Sequence, residues 1–346
     1  MPTIKDVARE AGVSIATVSY VLNNRTDMVG EQTRLQVLET ARRLGYRPNI
    51  IAQNLRASRT SLIGYAWHVN PSDKPNLVMD QFIYYLAQAA EAANYHLLTF
   101  THSNDDPISV YEELIRSGRV DGFILAETRL DDVRIRYLTE KKFPFVSFGR
   151  ANADWRFNWV DTDGQEGMCL ATEHLLALGH ERIAFLGWPE DSLTGNYRLS
   201  GFLEAMHSAG LPVPPGFIVH NDYNKNSIEK AFQRWQSVPQ LERPTAILAV
   251  SDFVAFAAMR IAEQFGYITG KTMSIVGFDD APFVRYLQPG LTTIRQPFAP
   301  ISELLVNQLH LLIEGDTPAL LNRLMPPELV VRESSGPPLS LLPSAG

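Results

Sequence analysis

Arginine, aspartate and large aromatic residues recur in this chain where short apolar runs stop, and together these types can hold a hydroxylated ring. The runs end at Trp67 and His68, at Thr101, at Glu127, and at Arg150 in FGRAN; later ones end at Trp188, at Arg198 in NYRLSG, at Tyr223 in NDY, at Ser251 and Asp252 in AVSD, and at Asp279 in GFDD. Aromatic faces cover the apolar C–H surface of a sugar, while Arg and Asp make two-point hydrogen bonds to neighbouring hydroxyls. Enzyme signatures are missing. There is no GxGxxG after the first strand, no GxxxxGK[ST], no GxSxG and no HExxH, so dinucleotide, P-loop, serine-hydrolase and zincin chemistry lack their residues. A single cysteine, Cys169, and eight scattered histidines argue against a disulfide and against a zinc site. Asp279 and Asp280 are adjacent on a strand end and point to opposite faces, which speaks against a catalytic carboxylate pair. No catalytic residue, metal ligand or cofactor is assigned.

The elements that would carry these residues read as α/β. Apolar runs at 62–67, 96–100, 120–126 and 143–148, then at 182–188, 217–220, 245–250 and 273–278, alternate with amphipathic segments such as 79–93, 110–117, 165–178, 195–209, 226–237 and 253–265. That alternation predicts parallel sheets with crossover helices, arranged as two doubly wound lobes. A ligand then sits between the lobes, beyond the carboxyl ends of the strands. Cys169 falls on one of the predicted helices as a small buried residue.

At 346 residues the chain is long enough for two or three domains. No run of about 18 uncharged apolar residues occurs, so no membrane partner is expected. The N-terminal MPTIKDVAREAG has Lys5 and Asp6 where a signal peptide needs an apolar core, which predicts a cytoplasmic protein. The net charge is −7, but it is unevenly spread: residues 1–60 hold nine Lys and Arg against five Asp and Glu. A basic head on an acidic body suits contact with phosphate at one end only.

The head has its own pattern. Thr3 and Asp6 form a capping-box start, Ile4, Val7, Ala8 and Ala11 follow at helical spacing, and Gly12 ends the helix. Ser14 caps a second helix, and a glycine between two short helices suits a helix-turn-helix corner. With Val18 at the centre of its inner face, Val21 and Leu22 lie beside it while Ala16, Tyr20 and Asn23 point away, with Ile15 at the helix start and Ser19 on its flank. A third helix, about Glu31 to Leu44, offers Leu35, Leu38, Ala41 and Leu44 for packing. In the next segment Asn49 caps a short helix on which Ala52, Leu55 and Arg56 share a face, flanked by Arg47 and Arg59.

Three stretches, IKDVAREAGVSIATVSYVLN, RRLGYRPNIIAQNLR and the TSLIG that opens the body, make the chain resemble the LacI/GalR family of repressors. The resemblance implies a helix-turn-helix DNA-binding domain at 1–46, a hinge helix at 47–60 and an effector-binding and dimerisation domain at 61–335. It also implies a periplasmic-binding-protein-like body in which the chain returns to the first lobe late. Lobe one is expected at about 61–160 and 291–322, and lobe two at about 161–290 and 323–335. The Pro- and Ser-rich tail 336–346 is expected to be disordered. At DNA, Ile15, Ala16 and Tyr20 would meet base edges, and Leu55 would wedge into the minor groove at the centre of a palindromic operator with Arg56 beside it. Ser14, Thr17, Ser19, Asn23 and Arg47, with the caps Thr3 and Asn49, would fix register on the backbone. Arg198, Ser251, Asp252 and Asp279 coincide with effector positions of the family. Many relatives carry an acid just before Arg150, where Gly149 here would widen the cleft for a larger glycoside.

The function that follows is a homodimeric transcriptional regulator, a repressor of sugar-utilisation genes controlled by a sugar or glycoside effector. The alternative is a sugar-binding or sugar-processing protein with no role at DNA. It would leave the basic head without a purpose.

Overall fold

Thr3 starts the chain's first helix as its sequence predicts: its hydroxyl accepts from the Asp6 N–H, while its own N–H and hydroxyl donate to the Asp6 carboxylate at 2.9 and 2.7 Å. The computed structural model describes residues 2–22, 29–46, 59–68, 76–103, 105–220 and 225–339. These fall into two compact units, residues 1–61 and 62–346. In the first unit, helices α1 (Ile4–Glu10), α2 (Ile15–Leu22) and α3 (Glu31–Leu44) bury Val7, Ala8, Ala11, Val18, Val21, Val37 and Ala41 against one another. The corner between α1 and α2 turns at Gly12, with φ at 65°, and the Val13 N–H closes it on the Ala8 carbonyl. The Gln36 amide of α3 donates to the Ala11 carbonyl at 3.2 Å and ties the third helix to that corner. Helix α3 has the predicted bounds, and of its four expected packing residues Ala41 is buried and Leu44 packs on the core of the head. Val37, Thr40 and Ala41 are buried, whereas Leu35 and Leu38 are exposed. The apolar pattern set half of the face wrongly because Thr40, a polar residue, occupies a core position beside Val37.

The second unit holds two six-stranded sheets among the described residues. Sheet one contains β1 (Leu62–His68), β2 (His96–His102), β3 (Gly122–Leu125), β4 (Phe145–Phe148), β5 (Trp159–Thr162) and β11 (Asn322–Met325), in the order β11-β5-β4-β3-β1-β2. Its helices are α4 (Leu77–Ala92), α5 (Ser109–Arg116), α6 (Val133–Lys141) and α11 (Phe298–Ile313). Sheet two contains β6 (Ile183–Gly187), β7 (Ile218–His220), β8 (Ala246–Ala249), β9 (Ser274–Asp279), β10 (Thr292–Arg295) and β12 (Glu328–Val330), in the order β12-β10-β9-β8-β6-β7. Around it lie α7 (Gly164–Ala177), α8 (Leu193–Ser208), α9 (Lys225–Gln236) and α10 (Asp252–Gln264). Every pairing is parallel except β10 with β12. The central strands are buried on both faces, as covered parallel strands must be.

The chain crosses between sheets three times, after β5, after β10 and after β11. The expected lobe boundaries therefore shift by a few residues. Thr292–Arg295 pairs with β9 and stays in the second lobe, and Asn322–Met325 pairs with β5 in the first, so the returns fall near Gln296 and Pro326 in place of 291 and 323. The start of the expected disordered tail is also corrected. The Gly336 carbonyl accepts from His180 Nε2 and Ser274 Oγ, both at 2.8 Å, and Pro338 is buried. Packing on β9 explains this order, and residues 340–346 lie outside the described ones.

Candidate functional site

Helix α8 begins at Ser192, whose hydroxyl caps the Gly195 N–H at 3.1 Å, and this sets Arg198 facing inward one turn later. The next turn carries Gly201, where a Cβ would lie 2.1 Å from the Gln165 carbonyl oxygen, so only glycine lets α8 lie this close to α7. The Arg198 guanidinium is buried. It lies 3.6 Å over the Phe278 ring and 5.1 Å from the Trp188 ring, donates to the Val250 carbonyl, and reaches Asp279 Oδ1 at 3.4 Å. Its Nε has no protein acceptor among the described residues, leaving one buried donor available.

Asp279 ends β9 with φ at 122° and accepts from Gln296 Nε2 at 2.7 Å. The Oε1 of the same Gln296 side chain in turn accepts from Thr162 Oγ1 at 2.7 Å. A continuous chain of polar contacts thus runs from Thr162 at the end of β5, through Gln296 after β10, to Asp279 and Arg198. It joins both sheets where the chain crosses between them. Burial pushes the Asp279 carboxyl up to about 6, against the pull of Arg198 and Gln296. The Asp252 carboxyl is also pushed up, by burial and then by the charge of Asp279.

The first lobe supplies a second arginine pair. Arg150, just past β4, donates through Nε to Asp161 Oδ2 at 2.9 Å, and its guanidinium lies 3.4 Å from the Tyr197 ring centroid and 6.0 Å from that of Trp159. Burial raises the Asp161 pKa although Arg150 and Arg198 pull the other way. Gly149 precedes it with φ at 109°, and a Cβ there would meet Thr128 Oγ1 at 2.6 Å. The glycine is thus required by backbone conformation and by Thr128, whose hydroxyl donates to the Arg150 carbonyl at 2.6 Å. The expected widening of the cleft is not needed to explain it.

Arg150, Trp188, Arg198 and Asp279 therefore gather at one place, joined by Asp161, Thr162, Tyr197 and Gln296, which the sequence reading did not name as ligand groups. Asp161 and Gln296 follow or end short strands with weak signals, whereas Tyr197 stood beside Arg198 in NYRLSG. Other candidates have different surroundings. Ser251 caps α10 by accepting from the Val254 N–H, and Asp252 is fully buried, with its oxygens accepting from the Ala281 N–H at 2.7 Å and from Thr293 Oγ1. Asp252 braces the turn after β9. Asp280 faces away and pairs with Arg295 and Arg332 at 2.8 and 2.6 Å. In the first sheet Trp67 and Thr101 are partners in register, and the Trp67 ring packs edge-on against buried Tyr65. Glu127 has φ at 51° and accepts from the Asn76 amide at 2.9 Å. Below it, Arg134 forms two hydrogen bonds to Asp132 and donates to the Ala126 carbonyl at 3.1 Å, fixing the end of β3. His68 closes β1 by its backbone, and Tyr223 lies outside the described residues.

In the head, Ile15 and Ala16 are exposed, while Thr17, Ser19 and Tyr20 are half-buried. Ser14 accepts from the Thr17 N–H at 3.0 Å and caps α2. Thr3 is engaged with Asp6 as a cap. Asn23, Arg47, Asn49, Leu55 and Arg56, and with them most of the expected hinge helix, lie outside the described residues. Among the described residues no helix is long and apolar enough to cross a membrane.

Comparison with known proteins agrees with this architecture. Residues 3–49 match the family described as bacterial regulatory proteins, lacI family, and residues 172–335 match the periplasmic binding protein-like domain. The chain is 32% identical over 313 residues to the HTH-type transcriptional repressor PurR of Klebsiella pneumoniae (strain 342), covering 89% of each chain. A LacI-family regulatory protein from Chloroflexus aggregans is 41% identical with a TM-score of 0.74, covering 80% of this chain and 99% of that one. The transcriptional regulator CelR in its cellobiose complex is 27% identical with a TM-score of 0.71, covering 96% and 100%. These relatives are regulators and not enzymes. With a helix-turn-helix head, a two-lobed body and likeness over most of its length, the chain belongs to the LacI family of DNA-binding transcriptional repressors.

Proposed function

We propose that the protein is a homodimeric repressor of sugar-utilisation genes whose hold on a palindromic operator is set by a neutral sugar or glycoside bound between the lobes. One observation carries the ligand class. Each arginine of the cleft is paired with a carboxylate, Arg150 with Asp161 and Arg198 with Asp279, and each guanidinium lies against an aromatic ring. A site with its charges paired and its rings presented suits uncharged hydroxyls better than a phosphate or a free carboxylate. The cellobiose complex of the similar CelR supports the same class. Trp67, His68, Thr101, Glu127, Tyr223 and Ser251 are proposed to line the outer part of this cleft, with Asp252 acting through the turn it braces.

At DNA, Ile15 and Ala16 offer apolar surface suited to thymine methyls, and Tyr20 offers one hydroxyl. Leu55 is proposed as the minor-groove wedge of a hinge helix that orders on DNA, with Arg56, Asn49 and Arg47 at its flanks and Asn23, Ser19 and Thr17 on the backbone. The homodimer has support in a hollow of 590 Å³ lined by Leu77, Gln81, Tyr84, Tyr85, Phe283 and Tyr286. Tyr84 is 59% and Tyr286 81% exposed, an apolar surface of the kind that pairs with its own copy.

The test is a thermal-shift series with neutral mono- and disaccharides, cellobiose among them, and with sugar phosphates. A ligand at 100 times its Kd adds about 2.7 kcal/mol, which raises the Tm by several degrees in a body of this size. A neutral sugar is expected to give that rise in the wild type and none in Arg198→Met. A shift by sugar phosphates alone contradicts the ligand class.

A further inference from the structure

The two arginines of the cleft converge on adjacent positions of one helix, one as a residue of it and one by contact. Arg198 is on α8, and the residue before it, Tyr197, covers the guanidinium of Arg150 from the other lobe at 3.4 Å. Asp161 holds the same guanidinium in its plane through Nε at 2.9 Å. One face of Arg150 is therefore closed by Tyr197. A ligand ring stacked between them would need about 3.5–4.0 Å of clearance on each side, so it cannot enter while this contact is made. A second aromatic ring, Trp159, stands 6.0 Å from the same guanidinium and is itself packed on the core of the first lobe.

We propose that Tyr197 is the gate and the specificity-determining residue of the cleft: its ring occupies the face of Arg150 and gives it up to a ligand ring, drawing on the two-lobed contact to do so. The proposal rests on the effector reading above for the identity of the ligand, though not for the existence of the gate. Two properties follow. The side chain at 197 sets the size of sugar admitted, because removing the ring leaves space beside Arg150. Tyr197 and Arg198 are also consecutive on α8, so a ligand ring that takes the place of Tyr197 on Arg150 lies beside the Arg198–Asp279–Gln296 contacts where the lobes are joined.

The experiment uses the full-length wild type, Tyr197→Ala and Tyr197→Phe. Alanine is a strong helix former and position 197 is half-buried, so α8 persists in the variant. Arg150 is labelled with phenylglyoxal without added sugar, and its modification rate is read by mass spectrometry with exposed Arg260 as internal reference. Loss of a partly exposed cation–π cover predicts a rate about threefold higher in Tyr197→Ala and an unchanged rate in Tyr197→Phe. Glucose and cellobiose are then compared by thermal shift, with a larger cellobiose shift expected in Tyr197→Ala than in the wild type. Equal Arg150 labelling in Tyr197→Ala and the wild type overturns the gate, as does loss of sugar binding in Tyr197→Ala alone. Faster Arg150 labelling with no sugar shifting either protein upholds the gate and overturns only the sugar assignment.

Discussion

Asp279 concentrates the physical tension of the cleft, because a carboxylate buried beside Arg198 is also within reach of the Asp252 charge. Burial raises its pKa to about 6, above its ordinary value, so the folded state binds more protons than the unfolded chain between about pH 4 and 6. Stability from this group is present at low pH and is lost as pH rises through the folded value. Asp161 and Asp252, also raised, slope the same way, while Asp280, held low by Arg295 and Arg332 against its burial, slopes oppositely. Asp279→Asn should therefore flatten, without abolishing, the fall in urea midpoint between pH 4.5 and 7. A wild-type and a variant curve that run parallel would show that Asp279 titrates normally. The meeting of Arg198 and Asp279 was legible where residue type was enough, since Arg198 in NYRLSG and Asp279 in GFDD stood out at the ends of apolar runs. The supporting roles of Asp252 and Gln296 did not, because each depends on which partner the fold places opposite it. At the head, Tyr20→Arg is expected to move the preferred half-site toward guanine, since arginine pairs with guanine through two hydrogen bonds; an unaltered set of selected duplexes speaks against a base-reading Tyr20.

Among the elements, the strands buried on both faces were readable as apolar runs, and their helices as amphipathic stretches between them. Four strands were not. WVDT, TTIR, NRLM and ELV are short and mix polar with apolar residues, they lie beside the lobe crossings or at sheet edges, and their place is set by pairing partners far along the chain. Thr162 ends one of these strands and Gln296 directly follows another, which is why half of the polar chain across the lobes escaped the sequence. Helix α3 gives a direct check of how packing overrides pattern. Val37→Ala is expected to destabilise the head by about 2 kcal/mol, while Leu35→Ala at a 56% exposed site should stay within about 0.5 kcal/mol. Chemical denaturation of the head, followed separately from the body, distinguishes them. A larger loss at Leu35 contradicts the packing described. Similarly, Gly201→Ala should cost about 2 kcal/mol or more, because its Cβ meets a backbone carbonyl that cannot move without shifting α7.

For the whole molecule, the alternation of the body gave two α/β lobes, and the family came from the resemblance of the head motifs and of the TSLIG that opens the body. Composition by itself was misleading, since the net charge of −7 hides a basic head. What no single segment carries is the coupling of the two functions. If effector changes operator affinity, operator must change effector affinity by the same factor. The central claim is thus tested most directly by one measurement on the full-length protein: its affinity for an operator selected from random duplexes, at fixed salt, with and without the sugar that stabilises it. The account predicts a selected palindrome and a change in operator Kd of about tenfold or more on adding that sugar, lost in Arg198→Met. Selection of no preferred duplex, or an operator affinity unmoved by a sugar that demonstrably binds, would contradict it.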